Sequence, residues 1–213
     1  MKKKNLIVAL SFLFLFALWT VLISYIDVKS IGPNESMVGF ATVNGFFHNL
    51  TGVHMWLYTV TDWLGLVPVA FGFGFAFLGL AQWIRRKNLF KVDYSLFILG
   101  VFYIVTFAAY ILFEMCVINY RPVLINGYLE ASYPSSTTLL VMCVMPTAAM
   151  QFYSRNKYKI LRYCMVTAIW TFTILMVVGR LLSGVHWLTD IIGGALLSNG
   201  LVMLYRFFIG LKE

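Results

Sequence analysis

The chain has 213 residues, of which 61% are hydrophobic and only 11% are charged, and its mean hydropathy is +0.85. A soluble domain carries about 25% charged residues, so this composition excludes a water-soluble globular protein and predicts a membrane protein. The net charge of +8 does not indicate nucleic-acid binding, because the basic residues lie at the ends of apolar runs and form no basic face interleaved with aromatic residues.

Chain length and cysteine content limit the architecture further. The length predicts a single domain, 1–213, with room for several spans of about 20 residues each. Cys116, Cys143 and Cys164 all lie within apolar runs, so we expect them to be small packing residues. Their number and spacing predict no disulfide framework, no metal site and no cofactor.

Hydrophobic runs predict an all-α, polytopic membrane fold with six transmembrane helices. The first run, 6–26, is longer than the core of a signal peptide, so we expect a retained span, with cleavage as the alternative. The mixed segment 27–62, which includes the turn-forming run 32–35, predicts an interfacial or re-entrant helical segment between spans one and two. The remaining spans are predicted at 63–84, 94–117, 138–153, 163–182 and 190–208.

Six spans place both termini on the same side of the membrane, and the basic residues indicate which side this is. Of the 16 lysines and arginines, all but Lys29, Arg121 and Arg180 fall on the side of the termini. The positive-inside rule therefore predicts cytoplasmic termini in a multi-pass protein of the plasma membrane. Arg121 and Arg180 then lie on the extracytoplasmic side, where their charges require an explanation.

The segment between spans five and six contains the residues that most resemble a reactive site. His186 and Asp190 are four positions apart, so on a helix they share one face. A carboxylate there can hold one ring N–H and make the other nitrogen more basic, which a nucleophilic histidine needs. Arg180, at the membrane boundary, would be neutralised by a bound phosphate. A structural His–Asp pair at the start of a helix is the alternative.

Two further features on the same side favour phosphate binding. Arg121 is a second cation that can hold phosphate oxygens bidentately. The run 134–137 opens span four, where free backbone N–H groups and hydroxyls form an anion site. Taken alone, these features are typical of a surface arginine and a plain helix cap. Together they predict a phosphate site formed by Arg121, Arg180, Ser135, Ser136 and Thr137.

The segment between spans five and six resembles a motif of the type-2 phosphatidic acid phosphatase superfamily, Ser-Arg-x5-His-x3-Asp. This is the most specific of the family's three motifs. Arg180, His186 and Asp190 match it at the right spacings, with Gly179 where serine is usual. The resemblance covers roughly residues 60–210. It implies a six-helix core with the three motifs of the family gathered on the extracytoplasmic side.

The other two family motifs are altered in this chain. The run 134–137 reads Pro-Ser-Ser-Thr where the family has Pro-Ser-Gly-His, so Thr137 stands in place of a histidine. Arg121 and Pro122 match the end of Lys-x6-Arg-Pro, but Glu114 stands in place of the lysine. Glu114 could pair with an arginine or meet a cationic headgroup, and the sequence favours neither.

The resemblance implies a metal-independent reaction. His186 would attack phosphorus to form a phosphohistidine, with Asp190 orienting its ring, and water would then release phosphate. Arg121, Arg180 and Ser135 would stabilise charge on the transferring phosphoryl group. Thr137 cannot protonate a leaving group near neutral pH, so a leaving group that needs little protonation is favoured. His48 and His54 are possible accessory proton donors, or interfacial polar contacts.

The function predicted from the sequence is a phosphohydrolase acting at the outer leaflet on a lipid phosphate or diphosphate. Polyprenyl diphosphate or a phosphatidylglycerophosphate-like lipid would be such a substrate, and the bilayer is the only other partner expected. Two alternatives remain. One is a lipid phosphotransferase on the same fold, and the other is a membrane protein that binds lipid phosphate without turnover.

Overall fold

The computed structural model describes residues 2–212, and it is mostly helical, as predicted. The described residues form eight α-helices: α1 (Lys2–Tyr25), α2 (Ala41–Thr51), α3 (Met55–Leu64), α4 (Leu66–Arg86), α5 (Tyr94–Met115), α6 (Ser136–Arg155), α7 (Lys159–Leu182) and α8 (Leu188–Ile209). The all-α polytopic fold class is therefore confirmed, with the ends of the helices shifted by a few residues from the predicted spans.

Five helical segments within residues 2–212 are long and apolar enough to cross a membrane. These segments are Lys3–Tyr25, Met55–Arg86, Tyr94–Met115, Lys159–Leu182 and Leu188–Ile209. The predicted span 138–153 lies on α6, which is not among them. Helix α6 packs against α4, α5, α7 and α8 and buries Thr138, Thr147 and Gln151, so its polar residues face other helices. The number of six spans remains a prediction.

The predicted helical segment between spans one and two consists of the two short helices α2 and α3. Helix α3 leads into α4 with only Gly65 between them. A small antiparallel strand pair, β1 (Lys29–Ser30) with β2 (Met37–Val38), precedes α2 and was not predicted. A 3-10 turn at Pro33–Glu35 lies in the predicted turn-forming run.

Helix α8 is held at its start by side chains from α1 and α2. Trp19 Nε1 donates to the Thr189 carbonyl at 3.1 Å. Asn44 donates to Thr189 Oγ1 at 3.0 Å and accepts from the Thr189 N–H at 3.2 Å. Further along, α8 approaches α1 closely, since a Cβ on Gly200 would lie 2.7 Å from the Leu13 side chain. These contacts fix the position of the residues that begin α8.

The loop between α7 and α8 packs directly on the turn between α2 and α3. The His54 N–H donates to the Ser183 carbonyl at 2.9 Å. Gly184 has a φ of +69°, and a Cβ there would lie 2.0 Å from the Gly52 carbonyl oxygen. A residue with a side chain would therefore both strain the backbone at 184 and force the turn away.

We expect Gly184→Ala to lower the midpoint of thermal unfolding in detergent more than Gly127→Ala does. Gly127 also has a positive φ, +84°, but a Cβ there would meet nothing within 4 Å. Gly127→Ala should lose only the free energy needed to hold an alanine in the left-handed conformation, about 1–2 kcal/mol. In a chain of this size, each kcal/mol lowers the midpoint of thermal unfolding by about 2–4 °C. Equal shifts in the two variants would contradict the close packing of the loop on the turn.

Candidate active site

The candidate site lies where α5 and α7 end and where α6 and α8 begin. His186 is in the loop between α7 and α8, and Asp190 is in the first turn of α8. Arg180 lies in the last turn of α7, and Arg121 follows the end of α5. The chain folds so that these four side chains, which are up to 69 positions apart in sequence, gather at one end of the bundle.

His186 and Asp190 are connected through a serine, and the direct hydrogen bond predicted from their spacing is not formed. His186 Nδ1 lies 3.9 Å from Asp190 Oδ2. Ser132 Oγ lies between them, 3.0 Å from His186 Nδ1 and 2.5 Å from Asp190 Oδ2. The prediction assumed that both residues are helical. Helix α8 begins only at Leu188, so His186 precedes the helix and its ring is displaced from the carboxylate.

The hydrogen bonds of Ser132 determine which nitrogen of His186 carries the proton. The single hydroxyl hydrogen of Ser132 is donated to Asp190, so Ser132 Oγ can only accept from His186 Nδ1–H. The other ring nitrogen, Nε2, then has a free lone pair. His186 Nε2 is buried and has no hydrogen-bond partner within residues 2–212. This is the arrangement that a nucleophilic histidine requires.

The surroundings of His186 keep its ring neutral. Burial, together with the positive charges of Arg121 and Arg180, holds the pKa of His186 well below its usual value. The neutral ring is the form that can donate an electron pair, so the same arginines that would attract a phosphate also keep the Nε2 lone pair available.

Arg180 is buried and only partly paired. Its Nη1 donates to Thr61 Oγ1 at 3.2 Å, and its Nη2 lies 3.5 Å from Asp62 Oδ1 on α3. The guanidinium carbon lies 4.7 Å from the centre of the Tyr58 ring. Arg180 Nε, however, has no partner among the described residues. A buried guanidinium with an unsatisfied N–H favours the binding of an anion.

Arg121 approaches the same tyrosine and is also incompletely satisfied. Its guanidinium carbon lies 5.8 Å from the centre of the Tyr58 ring. Arg121 Nε lies 3.1 Å from Glu130 Oε2, but the two groups are not aligned for a hydrogen bond. Arg121 Nη1 likewise has no partner in the described part of the chain. Two arginines near one ring, with unpaired donors, form an electrostatic site for an anion with several oxygens.

Asp190 connects three separate segments. Its Oδ2 accepts from the Trp187 N–H at 2.9 Å as well as from Ser132, and its Oδ1 accepts from Asn119 Nδ2 at 3.4 Å. The side chain is completely buried. Sequence reasoning did not single out Ser132, Asn119 or Tyr58, because no spacing from the predicted site residues marks them.

The run 134–137 is present as the start of α6, but its residues have different surroundings. Ser135 is buried and caps the helix, with its Oγ accepting from Thr138 N at 3.5 Å and Thr138 Oγ1 at 3.1 Å. Ser136 faces a small pocket beside the histidine, and Thr137 does not line it. The lining consists of Tyr110, Phe113, Glu114, Ala131, Ser132, Tyr133, Pro134, Ser136, Leu139 and His186.

His48 and His54 lie on the α2–α3 segment and neither lines this pocket. The His48 ring packs on the Trp187 indole, with ring centres 5.5 Å apart, and its burial lowers the pKa of His48. His54 Nε2 lies 2.9 Å from the Thr51 carbonyl at the turn. Within residues 2–212, no group of three His, Cys, Asp or Glu side chains is placed to hold a metal ion.

Comparisons with known proteins find similarity in the sequence of the second half of the chain and in the fold of nearly all of it. Residues 114–210 match the family model of the PAP2 superfamily. The fold is similar to the crystal structure of a transmembrane PAP2-type phosphatidylglycerolphosphate phosphatase from Bacillus subtilis. The TM-score is 0.65 at 16% identity, and the match covers 97% of this chain and 98% of that chain. At this identity the likeness shows a shared fold. No curated protein matches the chain.

We expect Ser132→Ala to remove the preference of His186 for a proton on Nδ1. Without the hydroxyl, Nδ1–H loses its acceptor, and the Nε2–H form of the ring should become populated. The measurement is a two-dimensional NMR spectrum of histidine ring nitrogens in detergent, with the His186 signals identified by their loss in His186→Gln. Ser136→Ala is the control and should leave the ring unchanged. An unaltered His186 spectrum in Ser132→Ala would contradict the proposed hydrogen-bond chain.

Proposed function

Since residues 114–210 match the family model of the PAP2 superfamily, we propose that the chain is an integral membrane phosphatase that removes phosphate from a lipid phosphate or diphosphate. The observation that carries this proposal is the geometry of His186. Its ring is buried, neutral and tautomerically fixed, and its free Nε2 has no protein partner within residues 2–212. The two incompletely satisfied arginines nearby supply the phosphate-binding charge.

In the proposed first step, the lipid phosphate binds between Arg121 and Arg180, whose N–H groups neutralise charge on the phosphoryl oxygens. The His186 Nε2 lone pair attacks phosphorus, and the bond from phosphorus to the leaving oxygen breaks. Positive charge develops on the ring as the N–P bond forms. Ser132 and Asp190 stabilise this charge through Nδ1–H. The chemistry at His186 assigns no role to a metal ion.

We place the reaction at the outer leaflet of the plasma membrane, with both termini in the cytoplasm. This orientation is supported by the distribution of arginines at the helix ends. Arg85, Arg86 and Arg155 lie in the last turns of α4 and α6, at the end of the bundle opposite the site. The positive-inside rule favours a cytoplasmic location for that end, which leaves His186 on the extracytoplasmic side.

The preferred substrate is proposed to be a lipid diphosphate. No histidine stands at 137, and Thr137 does not line the pocket, so the alkoxide of a phosphomonoester would depart without an obvious proton donor. General acid catalysis contributes about 10² to 10⁴ in rate. A departing phosphate monoester, with a second pKa of about 6, needs this help far less. Phosphatidylglycerophosphate-like lipids remain within the proposed class, at lower rates.

The nucleophile is tested with His186→Ala. We expect phosphate release from lipid diphosphates to fall by more than about 10³-fold, as it does when a nucleophile is removed. A phosphoenzyme that survives alkali and is lost in acid should be trapped in the wild type and absent in the variant. His54→Ala is the matched control and should retain activity, since its ring bonds at the α2–α3 turn.

Phosphate release that survives His186→Ala would contradict the proposed mechanism. If wild-type protein binds lipid phosphates but releases phosphate from none of them, the protein is a binding protein without turnover. If phosphate appears on an added alcohol in place of water, it is a phosphotransferase.

The substrate preference is tested by comparing kcat/KM for a polyprenyl diphosphate and for phosphatidic acid in the same detergent. We expect the diphosphate to be favoured by about 10²-fold or more, which is the contribution of a missing general acid. The matched control is Thr137→His, which places a longer side chain able to donate a proton next to Ser136, a residue that lines the pocket. It should narrow the difference by raising the rate on phosphatidic acid. Comparable turnover of both lipids by the wild type would overturn the proposed preference.

A further inference from the structure

The second half of the proposed reaction needs a base that has not yet been identified. After the lipid portion leaves, water must attack phosphorus on His186 and must lose a proton as it does so. His186 itself cannot accept this proton, since its Nε2 is bonded to phosphorus and its Nδ1–H is donated to Ser132. Thr137 is not a base at neutral pH. Another group near the ring has to accept it.

The pocket beside His186 contains one carboxylate among its described lining residues, that of Glu114. Glu114 lies in the last turn of α5, on the same face as Tyr110 and Phe113. The same pocket is also lined by Ser132, Ser136 and His186. The glutamate is therefore in the wall of the same small space that the ring of the nucleophile reaches.

Glu114 is not engaged elsewhere in the described part of the chain. Arg121, an arginine with which it could have paired, lies against Glu130 instead. No ion pair or side-chain hydrogen bond involves Glu114 within residues 3–212. Asp190, the other carboxylate near the ring, already accepts three hydrogen bonds and is completely buried. Of the two, only Glu114 has an oxygen available to a water molecule.

We propose that Glu114 is the general base that activates water to hydrolyse the phosphohistidine, an inference that rests on the proposed function. In this step the water oxygen forms a bond to phosphorus, and the bond from phosphorus to His186 Nε2 breaks. The electron pair returns to Nε2, and the water proton passes to the Glu114 carboxylate. Inorganic phosphate leaves, and Glu114 later releases the proton to solvent. Atoms and charge balance without any further reactant.

The assignment also fits the electrostatics of the site. A carboxylate facing a phosphate would weaken binding by repulsion. Here the positive charges of Arg121 and Arg180 both act on His186, and together they would offset one negative charge from Glu114 at the phosphate. The substrate phosphate is thus bound by the arginines while Glu114 remains free for proton transfer.

The test measures the two half-reactions separately in the Glu114→Gln variant. Rapid-quench experiments with a lipid diphosphate labelled at its terminal phosphate follow the formation and the hydrolysis of the phosphoenzyme. We expect a burst of lipid monophosphate of about one equivalent per enzyme, accumulation of labelled phosphohistidine, and steady turnover reduced by about 10² to 10⁴. Glu114→Asp should recover part of the turnover. Glu35→Gln is the matched control, since Glu35 lies in the exposed turn before β2 and should leave turnover unchanged.

Each outcome has a defined meaning. Turnover of Glu114→Gln within about two-fold of the wild type, without accumulated phosphoenzyme, overturns the role as base while leaving the nucleophile assignment intact. Loss of both the burst and turnover, in a variant that keeps the wild-type midpoint of thermal unfolding, also overturns it, because Glu114 would then act before the phosphoenzyme forms. Phosphate release that persists in His186→Ala contradicts the proposed function itself. The burst in Glu114→Gln also reports that the variant is folded.

Discussion

The site depends on one completely buried carboxylate, Asp190. It accepts a hydrogen bond from the Trp187 backbone, one from Ser132 and one from Asn119, so it joins the start of α8 to the two ends of the loop between α5 and α6. A buried carboxylate is costly unless it is well hydrogen-bonded. The three donors offset that cost, and in doing so they bring the loop that contains His186, the side chain of Ser132 and the segment that leads to Arg121 to a single point.

The two arginines of the site differ from Asp190, because their hydrogen-bond donors are only partly satisfied. Arg180 and Arg121 both approach the Tyr58 ring, and both retain buried N–H groups without partners in the described chain. Placing two like charges together in this way lowers the stability of the fold, and an anion bound between them would restore it. The short helix α3, which contributes Tyr58, Thr61 and Asp62, is therefore part of the site rather than a connection between spans.

The membrane fold and the spacing of the motif residues could be predicted from the sequence, because hydropathy and charge patterns are properties of neighbouring residues in the chain. Sequence reasoning located Arg180, His186 and Asp190 because they lie within one short segment. It could not find Ser132, because the gap that Ser132 fills exists only if α8 begins at Leu188 and leaves His186 outside the helix. It also could not find Tyr58 or the contact of Gly184 with Gly52, which depend on how α2 and α3 fold over the bundle.

Glu114 and Thr137, the two residues that depart from the family motifs, can be explained together. A histidine at 137 would serve the first half-reaction as an acid and the second as a base. With Thr137 there, the acid is lost, and this loss is tolerable only for a leaving group that departs as a stable anion. The base is still needed, because water must lose its proton whatever lipid was bound. In the proposed mechanism the carboxylate of Glu114 would supply that base. Under the proposed mechanism, the residues at 114 and 137 would therefore favour the same substrate class, lipids whose terminal phosphate is joined to a second phosphate.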